Sequence, residues 1–583
     1  MSTIDISTLR HAAAHLLAMA VSELHKDAKL GEHGLSENGF YYDVEFDTPI
    51  SLDELPAIQS KMLELARANL KMAVKTVVRD DALQYFTEKE QPYKREILDE
   101  ITTKKVDVLV IGEDAFKDTT KFPLPIMSTA VLENAALLDV SGAYWKGDDK
   151  RSMLTRISGV CFPSAQELLD FQEFQAELLR RDHRVMGKKL GFFSVDPEVG
   201  TGLIFWNPRG RFVRDAVAGL IKLKIRQLGA EFVETPLLAQ AEQEYLETQP
   251  QSEKLLAKNV SDDAEKWYAV RQQFIGAHLR MFSWKEHSYR DLPWKVGEIG
   301  KLLRYEKISE LEGLHRAREF TQDTITTVCA REHLEKEIES QLVEIVRFAR
   351  ELGFFDFEVQ YRLPPQVTAA QKNEFAQLVL LLRSISKKHT ISISEEIPEH
   401  KLTEPEIILT VKDSLKQKRR LSKIQIFYTL PVEQQISYMG SDGESHVPLV
   451  MRTTLSGSLE RVIATLIEHY AGLLPLWMTY EHARVIPVTS KQELYAEKVA
   501  KYLNERGIHS TTDLDPEPLE GKIKQAEEEK IPYMLIVGEK EQNTNAISVR
   551  IQGKGDIGLL DIESFIKDLQ NEVVTKSIKS QLV

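Results

Sequence analysis

Leucines and alanines recur at helical spacing over residues 7–26. The next apolar run, GFYYDVEF, alternates instead, as a half-buried strand does. SLDELPAIQSKMLELARANL opens on a serine followed by acidic residues, which predicts a capped helix start. Strand character returns between residues 105 and 146, in VDVLVIG and AALLDVSGAYW. Residues 164–189 read as a helix dense in charge, the composition of a solvated helix bridging two domains.

A second region starts near Gly191 with the amphipathic helix RFVRDAVAGLIKLKIRQLG, then AEFVETPLL, strand-like and ended by Pro236. In RYEKISELEGLHRAREFTQDTITT, residues 304–327, Arg304 and Glu306 fall on one predicted strand. Arg316, Arg318 and Phe320 fall on a returning strand beyond a polar loop. A helix is expected over residues 331–352, strand-rich sequence over 356–456, and a closing helix in SLERVIATLIEHYAG. The last hundred residues alternate strands (ARVIPVT, PYMLIVG, AISVRI) with helices (QELYAEKVAKYLNERG, LEGKIKQAEEEK, DIESFIKDLQNEV), a small α/β domain with its own core. The expected organisation is α+β and multidomain, with parts at 1–163, 164–190 (a helical linker), 191–483 and 484–583.

The 583-residue length suits three or four domains. A net charge of −14 argues against a polybasic nucleic-acid coat but leaves room for a local basic cleft. Two distant cysteines, Cys161 and Cys329, outside any CxxC pair, read as buried apolar residues in a reducing cytoplasm. No apolar run approaches the ~18 residues of a membrane span. HAAAHLLAMAV carries two histidines and follows Asp5, so it reads as an amphipathic helix rather than a signal peptide. GKGDIG, residues 553–558, matches GxGxxG, but too little chain follows for a dinucleotide fold, and a loop is expected there.

Two sets of residues carry possible chemistry. His11 and His15 share a helical face, yet a metal site needs a third ligand, and the pair alone reads as a partly exposed polar stripe. A hairpin with arginines on both strands would place planar, bidentate donors over the phosphates of one nucleotide, and an aromatic such as Phe320 could stack on a base.

GLIFWNPRGRFVRDAV…GAEFVETPLL, the 304–327 stretch and GSLERVIATLIEHYAGLLPLW resemble the three ordered motifs of class II aminoacyl-tRNA synthetases, and the wording is close to bacterial threonyl-tRNA synthetases. LRHAAAHLLAMAVSEL…NGFYYDV…SGAYWKGDDKRSML is similar to that family's editing domain, and KIPYMLIVGEKE to its anticodon-binding domain. The resemblance spans nearly the whole chain, without the family's small N-terminal ubiquitin-like domain. It implies an antiparallel catalytic sheet flanked by helices, an N-terminal editing-like α+β domain and a C-terminal α/β anticodon-binding-like domain. It further implies ATP with Mg²⁺, a tRNA partner and a homodimer. Arg304 would hold the α-phosphate and the amino-acid carboxylate, Glu306 and Phe320 the adenine, and Arg316 and Arg461 the β- and γ-phosphates. Gln425 would lie beside the nucleotide, and Arg304 and Arg461 would be the catalytic pair.

Departures from the pattern fall in the amino-acid pocket. The family's zinc ligands, one Cys and two His, are replaced by Ile275 in FIGAH, Thr326 in FTQDTIT and Arg452 in VMRTT, so no zinc is expected. Thr324 stands where the family has an aspartate and Glu406 where it has a lysine, while Gln322 and Asp323 match. Gln322, Asp323, Glu406 and Arg452 are therefore the expected pocket residues, with Gln322, Asp323 or Glu406 accepting the substrate ammonium. His11 and His15 match the editing motif HxxxH, but counting back from GAYW for its CxxxH lands on Lys121 and Pro125. The anticodon segment DLDPEPLEGKIK is more acidic than the family's. The function implied is ATP-dependent activation of an amino acid and its transfer to tRNA, with threonine specificity changed. Two alternatives stay open: a paralogue activating another small molecule for a non-tRNA acceptor, and a non-catalytic tRNA-binding or regulatory protein.

Overall fold

The computed structural model describes residues 5–36, 38–240, 256–257, 268–365, 368–398, 402–580 and 582. The chain divides into two compact units, residues 1–177 and 178–583.

In the first unit the helix Ile6–Leu24, capped by Asp5, is buried continuously from His11 to Val21. It is not amphipathic: alanines at 12, 13, 14, 18 and 20 present small surfaces on every side, which lets neighbours close around it. His11 and His15 are accordingly buried rather than a partly exposed stripe. Two four-stranded antiparallel sheets complete the unit. The expected serine cap is present as a capping box of Ser51 and Glu54 ahead of the helix Leu55–Arg67. The charged helix predicted over 164–189 is two helices, Ala165–Arg181 and His183–Lys189, because the Asp182 side chain accepts the Arg184 N–H and caps a new start.

The second unit is built on eight strands, which we number β1 (Glu231–Phe232), β2 (Trp294–Leu303), β3 (Glu319–Cys329), β4 (Phe357–Arg362), β5 (Ile393–Glu395), β6 (Glu406–Lys412), β7 (Lys418–Phe427) and β8 (Leu449–Thr454). Their order is β1-β2-β3-β8-β7-β6-β4-β5, antiparallel throughout except for the edge pairs β1–β2 and β4–β5. One face packs on α1 (Pro208–Gln227), α3 (Leu334–Glu351), α4 (Ala369–His389) and α5 (Leu459–His469). Val217, Ile221, Leu342, Leu382 and Ile463 of these helices share one core with Ile325, Ile424 and Met451 of the sheet. A further helix, α2 (Ile275–Phe282), packs through Ile275 and Leu279 against Val328, Phe427 and Val450. Helix α4 corrects the strand-rich reading of 356–456: its Thr368–Gln371 capping box starts a 21-residue helix inside that stretch.

The hairpin predicted around 304–327 exists as β2–β3, but Arg304 and Glu306 lie just beyond the end of β2, and Arg316 and Arg318 precede β3. Of the expected strand residues Phe320 alone lies within a strand, so the arginines stand on the connecting loop. The C-terminal part has its own core and a five-stranded sheet, Ser510–Thr512, Ala483–Pro487, Tyr533–Val537, Ala546–Ile551 and Gly555–Asp561 in spatial order. GKGDIG is a turn running into that last strand, not a loop throughout. Gly553 and Gly555 have φ of 75° and 95°, a conformation that accounts for glycine there without a phosphate. Among the described residues, no helix is long and apolar enough to cross a membrane.

Candidate active site

Alternation along the strands divides the sheet between core and cleft. On β3, Ile325 and Cys329 enter the helix-packed core, while Phe320 and Gln322 line a cleft of about 270 Å³ on the other face. Arg452 and Thr454 of β8, Lys423 of β7 and Glu406 of β6 line the same cleft. Arg304, Glu306 and Arg316 approach from the β2–β3 connection, and Arg461 from the first turn of α5. Eight of the residues singled out in the sequence thus share one cavity: Arg304, Glu306, Arg316 and Phe320, with Gln322, Glu406, Arg452 and Arg461.

Asp323 and Gln425 do not line it. Asp323 has the parity of Ile325 and is fully buried, accepting the N–H groups of Leu455 (2.5 Å) and Ser456 (2.9 Å) and the Ser456 hydroxyl. It cannot accept a substrate ammonium; it secures the turn that leads into α5. Burial raises its pKa, against the pull of those hydrogen bonds. Gln425 is turned to Arg452, whose Nη2 donates to its Oε1 at 2.6 Å.

The cleft is strongly cationic. Arg304 opens onto it with its guanidinium 5.0 Å from the Phe320 ring centre. The protein around it displaces solvent and lowers its pKa, partly countered by Glu306. Arg461 is desolvated likewise, with Arg304 and Arg420 adding repulsion. Its Nε donates to the His315 carbonyl at 3.4 Å. Arg316 donates through Nε to Glu306 (2.7 Å) and through Nη2 to Glu310 (2.9 Å), so phosphates would have to replace these carboxylates. Glu406 pairs with Lys423 at 3.1 Å.

Three residues that sequence reasoning missed hold this loop. His183 Nδ1 and His315 Nε2 lie 2.8 and 3.0 Å from the two oxygens of Glu468, and the Leu314 N–H donates to His183 Nε2. Burial would raise the Glu468 carboxyl, but the two histidines outweigh it and hold it well below the carboxylate range. No local signal marks residues this far apart in sequence.

The zinc-ligand positions of the resemblance do not fit the metal. Thr326 and Arg452 are direct partners across β3–β8, and Ile275 is buried on α2. The Thr326 hydroxyl lies 2.8 Å from His278 Nδ1, and His278 Nε2 lies 3.1 Å from Glu298. Glu298 also receives Arg271 Nη1 at 2.8 Å and the Thr235 hydroxyl at 2.8 Å. An alkyl group, a committed hydroxyl and a guanidinium offer no zinc site.

In the first unit, Lys121 and Pro125 do not meet the histidines. Lys121 instead pairs with Glu32 at the surface. Asp118 and Phe122 take those places, three residues earlier than the count from GAYW, because the intervening irregular segment has no set length. Asp118 is fully buried and lies 2.7 Å from His15 Nδ1, 2.6 Å from Lys94 Nζ and 2.6 Å from the Tyr42 hydroxyl. Phe122 stacks on His11 at 3.6 Å, and burial, reinforced by His15, lowers the His11 pKa to about 4.

Residues 259–470 match the family described as the tRNA synthetase class II core domain (G, H, P, S and T), and residues 482–572 match the anticodon binding domain. The chain is 34% identical over 584 residues to a threonine--tRNA ligase of Thermus thermophilus, an alignment covering 97% of this chain and 88% of that protein. It is 32% identical over 577 residues to the corresponding ligase of Magnetococcus marinus, covering 99% and 88%. A solved structure, the RNA binding domain of threonyl-tRNA synthetase from Cryptosporidium parvum Iowa II, is similar in fold with a TM-score of 0.61 at 24% identity, covering 69% of this chain and 100% of that one.

Proposed function

The chain belongs to the bacterial-type threonyl-tRNA synthetase family of aminoacyl-tRNA ligases, and from that membership we propose that its cleft joins an amino acid to ATP as an aminoacyl adenylate and passes the acyl group to tRNA. The anticodon-binding match at residues 482–572 supports tRNA as the acceptor. The carrying observation is that Arg304 and Arg461 share one cleft and, among the described residues, form no ion pair with a carboxylate. Arg461, half-buried and repelled by Arg304 and Arg420, is costly without an anion, so the cleft is prepared for an anionic ligand.

In this reading a carboxylate oxygen attacks the α-phosphorus of ATP and pyrophosphate leaves. A tRNA hydroxyl then attacks the acyl carbon and AMP leaves. Arg304 orients the attacking carboxylate and the α-phosphate, and Arg461 and Arg316 take the departing phosphates. The chain supplies position and compensating charge rather than covalent chemistry. Mg²⁺ would enter on the nucleotide and neutralise its phosphates, since the cleft carboxylates Glu306 and Glu406 are already paired with Arg316 and Lys423.

The same reading makes threonine a poor substrate. The donor set does not fit zinc, and a pocket without a hydroxyl-reading group separates threonine from an isostere by only about 10–200-fold. Pyrophosphate exchange across the amino acids, with charging of bulk tRNA alongside, tests the proposal. Exchange with some amino acid other than threonine and its transfer to tRNA are expected. Exchange with threonine at roughly 1–10³ s⁻¹, the range of ordinary enzymes, would overturn the altered specificity.

A further inference from the structure

Arg452 occupies the centre of the catalytic sheet, paired in register with Thr326 on β3 and Gln425 on β7. Its Nη1 donates to Gln273 Oε1 at 2.7 Å and its Nη2 to Gln425 Oε1 at 2.6 Å. Nε is enclosed and without a partner. The guanidinium lies 5.7 Å from the Phe427 ring centre. Among the described residues no carboxylate pairs with it. Glu406, the acidic neighbour, is taken by Lys423, and Glu298 is taken by Arg271 and His278. Arg452 and Glu406 therefore form no ion pair within the cleft.

Three buried arginines of this unit outside the phosphate-facing pair are matched by carboxylates: Arg271 with Glu298, Arg362 with both oxygens of Glu396, and Arg484 with Glu481 and Glu529. Two amide oxygens can orient the fork of Arg452, but they cannot neutralise it. They leave the enclosed Nε unsatisfied, and Nε is one arm of the fork through which arginine takes a carboxylate or phosphate in bidentate fashion. Burial and repulsion from Arg304 lower the Arg452 pKa to about 10, a cost that an incoming anion would relieve. Arg304 and Arg461 have the nucleotide phosphates and the substrate's α-carboxylate to meet. Arg452 stands instead beside Thr326 and Gln425, at a position that the family resemblance assigns to the amino-acid pocket.

We propose that the amino acid taken by this cleft carries an anionic side chain, a carboxylate or a phosphate ester, which pairs with Arg452. The inference rests on the activation reading above and names its substrate class. The cleft also holds Arg362, Arg420 and Lys423, so a second negative charge on the amino acid enters a cationic surround.

The test measures binding and exchange separately on the full chain. With a non-hydrolysable ATP analogue present, calorimetry compares L-aspartate with L-asparagine, L-glutamate with L-glutamine, and O-phospho-L-threonine with L-threonine; pyrophosphate exchange is run on the same set. At least one acidic ligand should bind about tenfold or more tighter than its neutral counterpart, as a charge-assisted hydrogen bond warrants. The pair that shows this preference distinguishes carboxylate from phosphate. Arg452→Gln should erase the preference and Arg452→Lys retain part of it. If Arg452→Gln does not fold, the acid-to-amide ratio of the unaltered chain and the lysine variant still decide. Acidic preference without exchange supports this inference and sinks the activation reading. Exchange with neutral amino acids only, equal binding within every pair, or no binding at all overturns the inference.

Discussion

Arg304 and Arg461 are the residues on which nucleotide affinity should turn. Charge-assisted hydrogen bonds of about 1.5–3 kcal/mol each predict that Arg304→Ala or Arg461→Ala weakens ATP binding about tenfold or more, read by calorimetry. Unchanged affinity in both would reduce the arginines to a charged surface. A second residue-scale prediction concerns zinc. With Ile275, Thr326 and Arg452 at the ligand positions, elemental analysis should find no stoichiometric zinc. One tightly held zinc per chain would contradict it. Glu460 offers a pH test. Burial pushes its carboxyl from 4.5 up to about 7 while it accepts the Thr321 N–H at 2.8 Å. The folded chain thus holds a proton there that the unfolded chain releases near its ordinary value, so stability falls as pH rises from about 4.5 to about 7. Glu460→Gln should flatten that decline in urea titrations across the window.

Helix α5 depends on what precedes it. Ser458 caps it by accepting the Arg461 N–H at 3.1 Å, and Asp323 secures the adjoining Leu455–Ser456 backbone. Asp323→Ala leaves buried N–H groups unpaired, at a cost of about 1–3 kcal/mol. Because Arg461 sits on that helix, the KM for ATP should rise as well; denaturation and kinetics check the two effects separately, and an unchanged KM would detach Asp323 from the nucleotide. At this scale much was legible in the sequence. The α5 stretch SLERVIATLIEHYAG shows both its cap and its apolar face, and the Ser51 start is a capping box in plain sequence. Helix α4 was not legible, because AAQKNEFAQLVLLLRSISKKH crowds its aliphatic residues into a run that a buried strand would share.

In the molecule as a whole, residues 1–177 close around their own buried polar cluster. Asp118 balances Lys94 there, both side chains being almost wholly inaccessible. Asp118→Asn would leave a buried ammonium uncompensated and should destabilise this unit by about 3–5 kcal/mol, seen as an earlier thermal transition or faster proteolysis of residues 1–177. An unshifted transition would show that Lys94 finds water or another acceptor.

Architecture was readable because it follows from short-range pattern: periods of two and 3.6, caps and ordered motifs reveal helices, strands and a class II arrangement without long-range contacts. Candidate residues for the cleft came with those motifs, and eight of them do meet. Their roles depended on folding. Gln322 and Asp323 are neighbours in sequence, yet strand alternation sends one to the cleft and buries the other beneath α5. Glu468 gathers His183 and His315 across hundreds of residues, and Asp118 replaces the residues that counting selected. Arg452 was visible as a substitution; that it meets two amide oxygens and no carboxylate is a property of strands β3, β7 and β8 brought side by side, which no local spacing encodes.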